Sequence, residues 1–167
     1  MKSKKMNSLI NIITHLLLLT ITCSMAALPS LLNSPTHTCI ACICHTRTGC
    51  YSLKNCANYS ISYQYWESVG APTLSVNSDV NMETYLECMA DDNCIINTID
   101  RYVRMFSNPD CNCDDRYDCQ DMLSLHLYGE GCIPVESRPY RHRYNNCARI
   151  KGLPQLHSNL QCQDEDS

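Results

Sequence analysis

The sequence predicts a small α+β domain, mostly helical and stapled by disulfides, and three observations carry that prediction. The 167-residue chain holds 14 cysteines. Residues 93–106 repeat apolar side chains at helical spacing, and residues 59–66 alternate apolar and polar at the period of two expected of a half-buried strand.

The first residues fix the compartment in which those cysteines are read. Lys2, Lys4 and Lys5 precede an apolar run from Leu9 to Ile21 that ends in small residues around Ser24-Met25-Ala26. This is the pattern of a secretory signal peptide over residues 1–26, with the mature chain starting near Ala27. Asn11 and His15 interrupt the run, which argues against a retained membrane anchor. Cleavage takes three lysines from the 13 Lys+Arg and none of the 17 Asp+Glu, so the net charge falls from −4 to about −7. An acidic mature protein is not expected to bind nucleic acid, membranes or anionic walls through simple charge attraction.

One of the 14 cysteines, Cys23, lies in the signal segment. The remainder are Cys39, Cys42, Cys44, Cys50, Cys56, Cys88, Cys94, Cys111, Cys113, Cys119, Cys132, Cys147 and Cys162. At this density in a secreted chain they read as a disulfide framework, even at the tight Cys39-x-x-Cys42-x-Cys44 spacing that could suggest zinc. An odd count leaves one thiol unpaired or shared between two chains in a disulfide-linked dimer, and the sequence does not set the pairing. With one Phe, one Trp and ten Tyr the aromatic core is thin, so bridges contributing typically ~2–4 kcal/mol each supply much of the stability.

Residues 27–38, "ALPSLLNSPTHT", carry two prolines and no periodicity and read as a flexible leader, with the domain spanning 39–147. "YSISYQYW" at 59–66 is the expected strand or hairpin arm, and Asn58-Tyr59-Ser60 is an N-glycosylation sequon. Residues 70–81 read as loop. "NCIINTIDRYVRMF" then places Ile95, Ile99, Tyr102, Val103 and Phe106 on one helical face, with Asp91, Asp92 or Asn93 as cap. "CQDMLSLHLYG" forms a second helix ended by Gly129, and "RPYRHRYNNC" a third, shorter and basic. Residues 148–167, ending in "DEDS", read as a loosely attached tail.

Two clusters suggest chemistry. Asp110, Asn112, Asp114, Asp118 and Asp121 stand at positions 1, 3, 5, 9 and 12 of a calcium loop, although Asp115 occupies the position where a glycine makes the turn. The alternative is an acidic turn stapled by its neighbouring cysteines. Ser124 and His126 suggest a nucleophile and base, but two positions apart on a helix they point to different faces, which leaves His126 as a packed side chain.

Several motifs occur in a telling order: "CIACIC" at Cys39 to Cys44 with "GC" at Cys50, "YW" and "G.PT" between Tyr65 and Thr73, and the Cys88/Cys94 pair. "YVRMF", "DCN" from Asp110 with His126 following, and "GEGC" ending at Cys132 complete the set. Together they resemble the invertebrate-type (i-type) lysozyme or destabilase family, with the insect members nearest in wording. The resemblance implies a lysozyme-like fold with a short antiparallel sheet and a saccharide cleft. It further implies hydrolysis of peptidoglycan β-1,4 glycosidic bonds in an antibacterial or digestive setting, with no cofactor.

The sequence departs from that family where the chemistry is done. The family's general-acid glutamate falls at Arg47, and only "YSLKN" separates Cys50 from Cys56, so the segment that carries the second carboxylate is deleted together with a family cysteine. Glycoside hydrolysis needs one acid to protonate the leaving oxygen and a second carboxylate to stabilise or trap the oxocarbenium ion. A guanidinium gives up no proton and repels a cationic transition state. Glu67, Glu83 and Glu87 are the acids available to replace the pair, and His45 stands near the right place. The sequence thus predicts a secreted lysozyme homologue with impaired catalysis that still binds peptidoglycan or a related glycan. The alternatives are an active lysozyme with relocated carboxylates or an isopeptidase, and a secreted structural or interaction protein.

Overall fold

Ser34 starts the first helix by accepting a hydrogen bond from His37 N, and Pro35 follows at a position where its missing N–H costs nothing. Helix α1 (Pro35–Thr48) is buried around most of its circumference: Cys39, Ile40, Cys42, Ile43, Cys44 and Thr46 are all inside. A helix with no polar stripe leaves no periodic signature, and its Cys, Thr and Ile have modest helix propensity. In this computed structural model, residues 27–107 and 109–156 are described.

The segment expected to be a flexible leader is pinned instead. Leu31 N donates to Asn93 Oδ1 at 2.8 Å, and the side-chain amides of Asn93 and Asn97 donate to Pro29 O at 3.1 and 3.0 Å. The ordered structure therefore begins ahead of Cys39.

The expected strand is also corrected. Residues 59–66 are shared between α2 (Leu53–Ser60) and α3 (Tyr63–Ser68), and among the described residues no strand is present, so the short antiparallel sheet is not found. Serine hydroxyls set these helices: Ser52 and Ser62 each cap one, accepting from Asn55 N and Tyr65 N respectively. Leu53, Cys56 and Ala57 are then buried at i, i+3, i+4.

Helix α4 (Met82–Met89) leads into α5 (Asp92–Arg104), which Asp91 caps by accepting from Cys94 N at 2.8 Å. Its stripe is the centre of the core: Ile95, Ile96, Ile99 and Val103 have no exposed surface, which stabilises the fold by about 1.5–3 kcal/mol per side chain. Trp66 and Tyr144 are also fully buried, and the Trp66 indole N–H donates to Pro72 O at 2.8 Å. Helix α6 (Cys119–Tyr128) opens with a capping box between Asp118 and Asp121 and ends at Gly129, whose φ of 61° favours glycine. After a 3₁₀ turn (Gly129–Gly131), α7 (Arg138–Lys151) runs four residues past Cys147 to a left-handed Gly152, so the tail starts later than expected.

Disulfides lace these helices to α1. Cys39–Cys119 ties it to α6, Cys42–Cys147 to α7 and Cys44–Cys56 to α2, while Cys88–Cys94 joins α4 to α5 and Cys111–Cys132 closes the segment around α6. Cys113 is disulfide-bonded as well; Cys162 lies outside the described residues. Cys50 is an exposed free thiol. No helix among the described residues is long and apolar enough to cross a membrane.

Candidate functional site: a cationic cavity at the end of α1

The last turn of α1 exposes carbonyl oxygens that carry the negative end of the helix dipole, and cations gather there. Arg47 belongs to that turn, and Arg143 reaches in from α7 to donate to Thr46 O at 3.3 Å. Gly49, left-handed at φ 78°, lets the chain turn beneath the Arg143 guanidinium, which would lie 3.9 Å from a side-chain Cβ at that position. Arg47 Nη1 donates to the Tyr140 hydroxyl at 2.6 Å. Arg47, Thr48, Tyr59 and Arg143 line a cavity of about 370 Å³; beside it, Arg138, Pro139, His142 and Arg143 line another of about 360 Å³. A third cavity, between residues 27–28, the 70–77 loop and Arg101, measures about 240 Å³. None of the three is lined by a carboxylate.

His126 lies buried on α6 within electrostatic reach of Arg47. Its Nδ1 meets the Tyr65 hydroxyl at 3.1 Å, and Tyr65 stacks on Tyr102 with ring centroids 3.8 Å apart. Burial, and then the Arg47 charge, push His126 down to about 4, so the ring is neutral at neutral pH. Its Nε2 has no protein partner. The ring's contact goes to Tyr65 and not to Ser124, which is buried on the same helix, so the Ser124/His126 pair is not assembled. His45 stacks flat on Tyr51 at 4.2 Å; burial first, then Arg143, lower its pKa.

None of the acids proposed as replacements lines these cavities. Glu67 on α3 and Glu83 and Glu87 on α4 are exposed, and the ion pair among the described residues is Arg104–Asp100, away from this site. One acid that sequence reasoning missed is Glu136, whose charge, after burial and the nearby Tyr140, helps raise the Tyr128 pKa. It sits in the link before α7, and no motif marks it. One carboxylate near Tyr128 and Tyr140 still supplies only half of a glycosidase pair.

The aspartate-rich turn spends its oxygens internally. Asp110 accepts from Asp114 N and Asp115 N, Asn112 Oδ1 accepts from Asp114 N, and Asp114 accepts from Arg116 N. Asp118 caps α6, while Asp121 accepts from Cys111 N and Asp118 N, both at 2.7 Å. Among the described residues no three His, Cys, Asp or Glu side chains group as metal ligands would. In this turn the aspartates and Asn112 satisfy the turn's own backbone N–H groups. Asn58 is exposed near the end of α2, open to modification rather than buried in a strand.

The chain thus folds as a small, helical, disulfide-laced domain with a basic cavity at the end of its first helix. Residues 36–147 match the Destabilase family, which places the chain in the invertebrate lysozyme and destabilase family. The match starts one residue inside α1 and stops at the cysteine that ties α7 to it. No curated protein and no solved structure matches the chain significantly.

Proposed function

We propose that this protein is a secreted destabilase-family member that holds peptidoglycan or a related glycan without hydrolysing it. The observation that carries the reading is the Arg47–Tyr140 hydrogen bond at the position of the family's general acid, beside a cavity that no carboxylate lines. A guanidinium there cannot protonate a glycosidic oxygen, and its charge disfavours an oxocarbenium ion. Binding survives such a loss, because Tyr59, Thr48 and two guanidinium groups still offer a stacking face and donors to sugar hydroxyls. The signal-like residues 1–26 and the bridges fit an oxidising, extracellular destination.

The test is cell-wall turbidity clearance by the purified, oxidised protein, run beside a peptidoglycan pull-down. Retention on peptidoglycan without clearance is the expected result. Clearance by the wild type would overturn the reading and send the search for an acid to Glu136, Glu67, Glu83 and Glu87. Neither retention nor clearance would favour a scaffold that binds another protein.

A further inference from the structure

We infer that the two cavities meeting at Arg143 form a site for an acidic glycan, one whose carboxylates are spaced between neutral sugars. This deepens the glycan-binding reading and rests on it. The charge distribution points there. The chain is acidic overall, at −4, yet α7 carries Arg138, Arg141, His142, Arg143, Arg149 and Lys151 with no acid among them. Arg47 adds a further cation from α1, and among the described residues neither Arg47 nor Arg143 is in an ion pair. Unpaired guanidinium groups around an open cavity with no acid in its wall attract an anion, and the planar fork matches a carboxylate through two parallel hydrogen bonds.

The form of the ligand follows from the surroundings. Each cavity, at about 370 and 360 Å³, lies within the ~300–1,000 Å³ typical of small-ligand sites, and Arg143 is a wall of both. An extended glycan can therefore pass from one to the other. Tyr59, 73% exposed at the rim, presents a ring on which a sugar can stack. Outside this face the acids predominate, so a uniformly charged polyanion would be repelled along most of its length. Isolated carboxylates separated by neutral rings meet the cations without that penalty.

The experiment measures binding of the full secreted chain to three octasaccharides by calorimetry at low and at physiological salt. One alternates N-acetylhexosamine with hexuronate, the second is the same glycan with its carboxylates converted to amides, and the third is a neutral N-acetylglucosamine oligomer. The acidic form should bind at least ~10-fold more tightly than its amide, with the difference shrinking as salt rises. Arg47→Gln should remove most of that preference while Arg47→Lys keeps part of it; Arg47 is exposed, so both variants should fold, which circular dichroism checks. Equal binding of the acidic and amidated forms would overturn the inference and leave the glycan reading intact. Equal or tighter binding of a polyphosphate of matched charge would overturn it too, by showing a general anion patch. Failure of all three octasaccharides, together with no retention on peptidoglycan, would sink the glycan reading itself.

Discussion

Arg47 on the last turn of α1 and Tyr140 on the first turn of α7 are joined by a hydrogen bond of 2.6 Å, so the Arg47 guanidinium is held by a neighbour rather than left to sweep the cavity. The phenol oxygen accepts and the guanidinium donates. Exchanging Arg47 for glutamate replaces a donor with an acceptor that the Tyr140 hydroxyl can turn to meet, but glycoside hydrolysis needs two carboxylates and this cavity's lining offers no second one. Arg47→Glu should therefore clear no cell-wall suspension above background, while its stability stays within about 0.5 kcal/mol of wild type because the side chain is exposed. Thermal melts and turbidity measure the two halves of this prediction. Clearance by the variant would mean that a second acid, with Glu136 the first to test, already faces the cavity.

The bridge between Cys42 and Cys147 delivers α7, and with it Tyr140 and Arg143, to the end of α1. It closes 105 residues of chain, against 6 for Cys88–Cys94. The chain-entropy relation gives about 4–5 kcal/mol for the long loop and about 2 kcal/mol for the short one. The first figure is an upper bound, since Cys39–Cys119 already shortens the open loop. The double variant Cys42→Ala/Cys147→Ala should melt well below Cys88→Ala/Cys94→Ala in calorimetry. The reverse order would show that native packing, and not loop closure, decides the value of these bridges.

Much of this was legible in the sequence, and the failures have physical causes. The stripe of Ile95, Ile99 and Val103 announced α5, and Gly129 announced the end of α6, because amphipathic burial and a left-handed cap both leave marks on the chain. Helix α1 left none: it is buried on nearly every side, so its Cys and Ile follow no period. Ser62, inside the alternating 59–66 stretch, reads as a polar strand residue, though its hydroxyl caps α3. At the site, it is the family resemblance that sets Arg47 against the general-acid position. The convergence of Arg47 with Arg143, and of His126 with Tyr65, was not legible, since the pairs are 96 and 61 residues apart and meet only through helix packing.

Cys50 follows Gly49 at the end of α1 and is exposed, with no partner in a bridge. A maleimide reagent added to the native protein should label Cys50, located by peptide mass spectrometry, and Cys50→Ser should change stability by less than about 0.5 kcal/mol. A native protein that resists labelling at Cys50 would show that the thiol is consumed, and a covalent dimer on a non-reducing gel that disappears in Cys50→Ser would say by what.

Two buried groups pull the pH dependence of stability in opposite directions. His126 is held down to about 4 from 6.5 by burial and then by Arg47; its contribution is fully present above pH ~6.5 and lost as pH falls toward 4, because the unfolded chain binds the proton first. Asp121 is raised to about 6 from 3.8, chiefly by burial, although the amides of Asp118 and Cys111 favour its charged form. Its contribution is present below pH ~3.8 and lost as pH rises through 6. At 1.36 kcal/mol per unit each is worth roughly 3 kcal/mol across nearly the same window, so between them the wild type should be close to flat from pH 4 to 6.5. His126→Gln, which keeps an acceptor for Tyr65, should unmask Asp121 and become more stable on acidification. Asp121→Asn should do the reverse, on top of a pH-independent loss of about 1–3 kcal/mol from leaving a backbone N–H of Cys111 or Asp118 without its acceptor. Denaturant titrations at pH 4.5 and 7 distinguish the two slopes, and variants that both track the wild type would show that neither group titrates where its burial places it.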